Sequence, residues 1–171
     1  CFMKYCIPGL LLCIIFSSAK AQRRIEYPLF VSISPDLIVP NSEFAKTHNT
    51  GFGATVLLGY KLNKSIAPVI AYSYYNVPGR NVSVNELRAS LLTAGARLYL
   101  GNFYLLGNGG AIFTKGYDDA TRFVFGVGGG DEIRLNRRSK LDISVSYESF
   151  NTSSNNGIFA LRMGYTYFIG R

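Results

Sequence analysis

The chain has no tryptophan, one histidine (His48) and three cysteines, and all three cysteines (Cys1, Cys6 and Cys13) fall at its very start. The rest of the sequence therefore has no disulfide framework and no thiolate metal site. A single histidine without cysteine partners does not build a zinc centre either. No stretch beyond the first residues approaches the roughly 20 consecutive apolar residues that a transmembrane helix needs. If this chain enters a membrane it does so as a closed barrel, because only helices and barrels satisfy every backbone group in lipid. Acidic residues are also scarce, with Asp and Glu at 10 against Lys and Arg at 18, for a formal net charge of +8. The cations are scattered, with pairs only at Arg23–Arg24 and Arg137–Arg138. A nucleic-acid binder gathers them on one stripe or helix, so nucleic acid is not expected as a partner.

Tyr and Phe are plentiful at 12 each, and Gly stands at 18. That mixture suits β-structure with tight turns and close backbone contacts. The start of the chain reads as a secretory leader: Lys4 as a positive n-region, an apolar run from Ile7 to Phe16, then Ala19-x-Ala21 ahead of Gln22. Met3 is taken as the initiator. A lipoprotein leader cleaved at Cys13 is disfavoured because Leu12 precedes that cysteine. The expected organisation is a signal peptide over 1–21 and a single domain over 22–171.

Eight segments of that domain alternate with period 2, over 27–34, 51–62, 65–75, 88–100, 103–115, 121–135, 139–150 and 158–168. In the second, Phe52, Ala54, Val56, Leu58, Tyr60 and Leu62 are apolar, while Gly51, Gly53, Thr55, Gly59 and Lys61 are small or polar. Leu141, Ile143, Val145 and Tyr147 oppose Lys140, Asp142, Ser144, Ser146 and Glu148 in the same way. The segment from Phe103 to Lys115 is ambiguous, with glycine on both faces. Alternation alone also fits a soluble lipocalin-like barrel. Here, however, the polar face has few bulky apolar residues and the apolar face is continuous and nearly free of charge, which is the pattern of a surface facing lipid.

The connections support this reading. They alternate long (35–50, 76–87 and 151–157, with a medium one around Asp118–Asp119) and short (Asn63–Lys64, Gly101–Asn102 and Asn136–Arg138). Bacterial barrels pair short periplasmic turns with longer external loops, so both termini are expected in the periplasm. Up-and-down threading puts Tyr60, Phe103, Tyr165 and Tyr167 at the periplasmic rim. Phe52, Tyr72, Tyr74, Phe123, Tyr147 and Phe159 fall at the outer rim, giving two aromatic girdles. The expected fold is an all-β, eight-stranded antiparallel up-and-down transmembrane β-barrel.

The alternation Gly126-x-Gly128-x-Gly130-x-Glu132-x-Arg134 and the terminal segment from Phe159 to Phe168 carry a resemblance to the OmpA/OmpX-like family of small outer-membrane barrels, covering Tyr27 to Arg171. The resemblance implies a non-enzymatic protein of the Gram-negative outer membrane, without a cofactor, with a structural, surface-interaction or minor small-solute pore role and outer-membrane lipid around it. Tyr165, Tyr167 and Phe168 resemble the C-terminal signal read by the barrel-assembly machinery, although Ile169, Gly170 and Arg171 follow where the family usually ends on the aromatic.

Parity places Lys61, Arg97, Arg122, Glu132, Arg134, Lys140, Asp142, Glu148 and Arg162 inside the barrel. An eight-stranded barrel is just wide enough for side chains to fill it, so these charges must pair. Glu132 with Arg97 or Arg162 is one option, and the sequence leaves the partners open. A pore gated by exchanging pairs is the sharper alternative. His48, with Asp36, Ser42 and Glu43 nearby in sequence, raises a lipid-modifying enzyme as a second function, against a plain solvated loop histidine. Gly126 to Gly130 lie in a strand with no helix after them, which argues for close packing and against a phosphate loop. Asp118 and Asp119 alone fall short of a calcium site.

Overall fold

In a computed structural model, which describes residues 28–41, 44–81, 85–116, 120–150 and 156–170, the chain forms a closed barrel of eight antiparallel strands in sequence order. The strands are β1 (Leu29–Asn41), β2 (Gly51–Tyr60), β3 (Ile66–Val77), β4 (Leu87–Leu100), β5 (Phe103–Lys115), β6 (Ala120–Arg134), β7 (Ser139–Phe150) and β8 (Asn156–Ile169). A four-residue helix, α1 (Phe44–Thr47), lies between β1 and β2. The expected leader over 1–21 lies outside the described residues.

Alternating side chains decide which way each strand faces. In β3 every second residue, from Ala67 to Val77, is buried, and the residues between them are exposed. The outside carries the large apolar groups: Phe52 is 72% exposed, Phe123 58%, Met163 57% and Ile70 55%. The inside carries Ser32, Ser34, Thr55, Ser73, Thr93, Ser146 and Thr166, all buried, but also more bulky apolar groups than expected, among them Phe30, Ile38, Leu91 and Ile112. The apolar outside is the reverse of a soluble lipocalin-like barrel, whose outside would be charged. The expected girdles are present at opposite ends, with Tyr60, Phe103, Tyr165 and Tyr167 outward at the end holding the termini. Tyr147 is only half exposed, because it packs on the Phe159 ring, 5.0 Å between centroids.

Most boundaries fall within two residues of expectation, and the largest difference is at the first strand. The first segment does not stop at residue 34; β1 continues through Pro35 and Pro40 to Asn41, so the first loop is shorter than expected. Proline normally breaks a ladder because it has no N–H. Here the pairing of β1 with β2 runs uninterrupted past Pro35, while the pairing with β8 lapses at Ser34 and Pro35 and resumes at Asp36↔Arg162 in the same register. The strand passes the proline by giving up bonds on one side only.

Candidate functional site

The lumen is the one place where chemistry-bearing side chains converge among the described residues, and it is filled in layers. Nearest the termini, Phe30, Leu57, Ala67, Val69, Ala71, Tyr99, Tyr104 and Phe168 form an apolar cluster. Within it sits Glu132, whose side chain is fully buried. Its Oε1 accepts from Tyr99 Oη at 2.7 Å and Arg97 Nη1 at 3.2 Å, and its Oε2 accepts from Lys140 Nζ at 2.6 Å. Lys61 Nζ lies 3.8 Å from the same carboxylate. Arg97 Nη1 also donates to Asp142 Oδ2 at 2.7 Å, and Tyr104 donates to Asp142 Oδ1 at 2.8 Å. Glu132 and Asp142 are direct cross-strand partners. Two carboxylates side by side would repel, and the Arg97 guanidinium bridging both removes that cost. The cations also lie over rings: Lys61 over Tyr99 at 4.2 Å and Arg97 over Tyr104 at 4.2 Å from the centroids.

Further from the termini the hub is Arg162. It donates through Nη2 to Glu148 Oε1 at 2.5 Å and to Tyr75 Oη at 2.7 Å. Its Nη1 reaches Ser146 Oγ at 2.7 Å and its Nε reaches Asp36 Oδ2 at 3.5 Å. Asp36 also accepts from Ser34 at 3.0 Å and from Thr55 at 2.5 Å, and Thr55 in turn meets Ser73 Oγ at 2.7 Å. Lys61, Arg97, Lys140 and Arg162 thus balance Asp36, Glu132, Asp142 and Glu148, and the two groups together are neutral.

Between the groups is a cavity of about 30 Å³ of mixed lining, with Thr93, Arg97, Asn108, Ser144 and Arg162 beside Leu57, Val69, Leu91 and Leu106. That is room for a water or two. Arg97 Nε has no protein partner, so a water there would complete it. Beyond Arg162 the outer end is closed by Ile38, Phe44, Val77, Leu87, Leu91, Ile112, Val124, Phe150 and Ile158, all buried. The glycines of β6 make the packing possible. A Cβ on Gly128 would come within 2.8 Å of Ser146 Cβ, and one on Gly130 within 2.7 Å of Tyr104 Oη.

Of the residues expected inside, Lys61, Arg97, Glu132, Lys140 and Asp142 meet in one group and Glu148 and Arg162 in the other. Arg134 does not join them. It is exposed at the end of β6 and donates from Nε to the Asn136 carbonyl at 3.3 Å, because inward parity ceases to mean burial once a strand passes the rim. Arg122 is half-buried near the other end. Sequence reasoning missed Asp36, Tyr75, Tyr99 and Tyr104, all buried in the lumen. Extending β1 across Pro35 would have placed Asp36 inward. In the terminal segment, Tyr165 and Tyr167 face out while Phe168 is buried beneath Lys61 and Lys140, at 5.0 and 5.2 Å from its ring centre.

The structure does not assemble a hydrolytic constellation around His48. The ring is buried and stacked on Phe44, 4.3 Å between centroids, and its Nδ1 meets Thr47 Oγ1 at 2.8 Å. The solvated-loop reading fails as well, for the same reason. Asp36, the candidate carboxylate among the described residues, is committed to the lumen. Ser42 and Glu43 lie outside the described residues. Burial holds the His48 imidazole below its ordinary pKa, partly offset by a hydrogen bond with the Asn85 backbone.

No family model and no curated protein matches the sequence. Solved structures do match. Neisserial surface protein A (NspA) superposes with a TM-score of 0.68 at 15% identity, over 82% of this chain and 97% of that one. Ail, the attachment invasion locus protein of Yersinia pestis, gives 0.63 at 13% identity, over 85% of this chain and 100% of its own. The outer membrane protein OprG of Pseudomonas aeruginosa gives 0.59 at 11% identity, over 85% and 98%. The chain therefore has the closed eight-stranded fold found in these small outer-membrane β-barrels.

Proposed function

We propose that this chain is a non-enzymatic integral protein of a Gram-negative outer membrane, with its termini on the periplasmic side. It would act as a rigid membrane scaffold that presents loops at the cell surface, and it would conduct no solute in the state described. The carrying observation is the combination of an apolar outside with a lumen packed shut. Among the described residues, the apolar plug and the Glu132 and Arg162 clusters pack across the lumen around a small central cavity, which supports a closed barrel. A gated pore would have to break buried ion pairs, each of which costs several kcal/mol to leave uncompensated. Surface presentation agrees with the name of one structural neighbour, Ail, the attachment invasion locus protein. The C-terminal aromatics would serve the barrel-assembly machinery during insertion.

Two experiments test this. In planar bilayers the reconstituted protein should give no steady conductance; stable channels would replace the scaffold reading with a pore. On intact cells, a membrane-impermeant amine reagent should modify Lys46, exposed in α1, and spare Lys64, exposed in the turn between β2 and β3. Labelling of Lys64 with Lys46 spared would invert the proposed orientation.

A further inference from the structure

The outward surface carries a cation pair that neither the lumen nor the fold accounts for. Arg88 on β4 and Lys115 on β5 are direct cross-strand partners. Both are exposed on the outer face, between buried neighbours Leu87, Ala89 and Thr114. Like charges directly opposite one another repel. Glu86 pairs with Arg88 alone, and no carboxylate of the described residues pairs with Lys115. Asn76 of β3 continues the same row on the far side of Arg88.

The depth of this row is informative. On β5 the outward aromatics Phe103 and Phe113 mark the two girdles. The ten residue steps between them, at about 3.3 Å each and a tilt of about 40°, span roughly 25 Å along the membrane normal, the usual height of the apolar band. Lys115 lies two residues beyond Phe113, and Arg88 two residues before Ser90, the cross-strand partner of both Tyr74 and Phe113. The pair therefore stands about 5 Å above the hydrocarbon edge, at headgroup level. The other end of the same two strands closes through Gly101–Asn102 and carries no charge.

Resting on the membrane-spanning reading above, we propose that Arg88 and Lys115 form a binding site for the phosphate of an anionic lipid headgroup in the leaflet at the loop end, with the lipid chain lying down the Tyr74–Phe113 face. A guanidinium fork and an ammonium from neighbouring strands suit one phosphate group, and such a ligand removes the repulsion between them. Glu86 competes for Arg88 and weakens the site.

The test is spin-label electron resonance on the full chain reconstituted in phosphatidylcholine vesicles, comparing motionally restricted phosphatidic acid with phosphatidylcholine. The wild type should prefer phosphatidic acid roughly fivefold. The double variant R88Q/K115Q should lose most of that preference, E86Q should increase it, and R137Q, exposed at the opposite end, should keep it. All the altered side chains are exposed, so the barrel itself should be unchanged. No preference in the wild type, full preference in R88Q/K115Q, or an equal loss in R137Q would overturn the site. A protein that failed to enter the vesicles as a heat-modifiable barrel would instead overturn the membrane reading beneath it.

Discussion

Glu132 is the residue on which the inner packing depends most. Its buried carboxylate faces three cations and a tyrosine hydroxyl. Glu132→Gln leaves Arg97 and Lys140 undercompensated and should cost about 3–5 kcal/mol, the range for breaking a buried pair by removing one partner. Lys61→Met should cost under about 1 kcal/mol, because Lys61 is the most distant of the three cations at 3.8 Å and is partly exposed. With no tryptophan in the chain, the readout is the fraction of folded band on gels across a urea series in lipid vesicles; equal losses for the two variants would contradict this ranking. Steric limits are as local. The Phe30 ring lies over its cross-strand partner Gly59, and a Cβ there would overlap it. Gly59→Val should therefore destabilise by about 1–3 kcal/mol in the same assay. Parity made most of the lumen charges legible, since inward position follows from a two-residue period alone. It could not choose between Arg97 and Arg162 as the partner of Glu132, because that depends on height along neighbouring strands. The side-chain contacts decide it: Arg97 Nη1 reaches Glu132 at 3.2 Å, while Arg162 turns to Glu148 and Asp36.

At the level of elements, the β1–β2 and β3–β4 connections are clasped together at the end away from the termini. His48 bridges to Gly79, Asn49 N–H donates to the Pro78 carbonyl at 2.9 Å, and Arg80 N–H donates to the Thr47 carbonyl at 2.8 Å. Phe44 from α1 seats into the apolar cluster below. His48 has a lowered pKa in this clasp, so the opened loop takes up a proton more readily than the closed one. The histidine's contribution is present above its ordinary value of 6.5 and is lost as the pH falls through the lower folded value. Hydrogen exchange at Asn49 and Arg80, referenced to β4 amides, should show the clasp opening more often at pH 5 than at pH 7.5, and His48→Gln should flatten that dependence. An unchanged pH response in the variant would assign it elsewhere. The closing seam offers a parallel test: amides near Gly164, opposite the lapse at Pro35, should exchange faster than amides at matching depth between β4 and β5. Strand existence and facing were legible in the sequence because alternation survives over ten or more residues. The end of β1 was not, because Pro35 and Pro40 lack the N–H that marks a ladder, while the barrel gives up pairing at Pro35 on one side only. The burial of His48 was equally invisible, since the clasp joins loops with no periodic pattern.

The whole molecule presents a surface turned inside out relative to a soluble barrel. Exposed Ile, Leu, Val, Phe and Tyr cover the outside, the ion pairs and hydroxyls lie inside together with two buried apolar clusters, and the ladder closes from β8 back onto β1 without a free edge. Such an outside is stable only in lipid or detergent. The most direct test is fractionation of expressing Gram-negative cells, followed by gels of the outer-membrane fraction run boiled and unboiled. The protein should appear in that fraction, with an unboiled band that migrates differently and shifts on heating as the closed ladder opens. A protein recovered in the soluble periplasmic fraction, with no heat shift, would contradict the lipid-facing assignment and everything built on it.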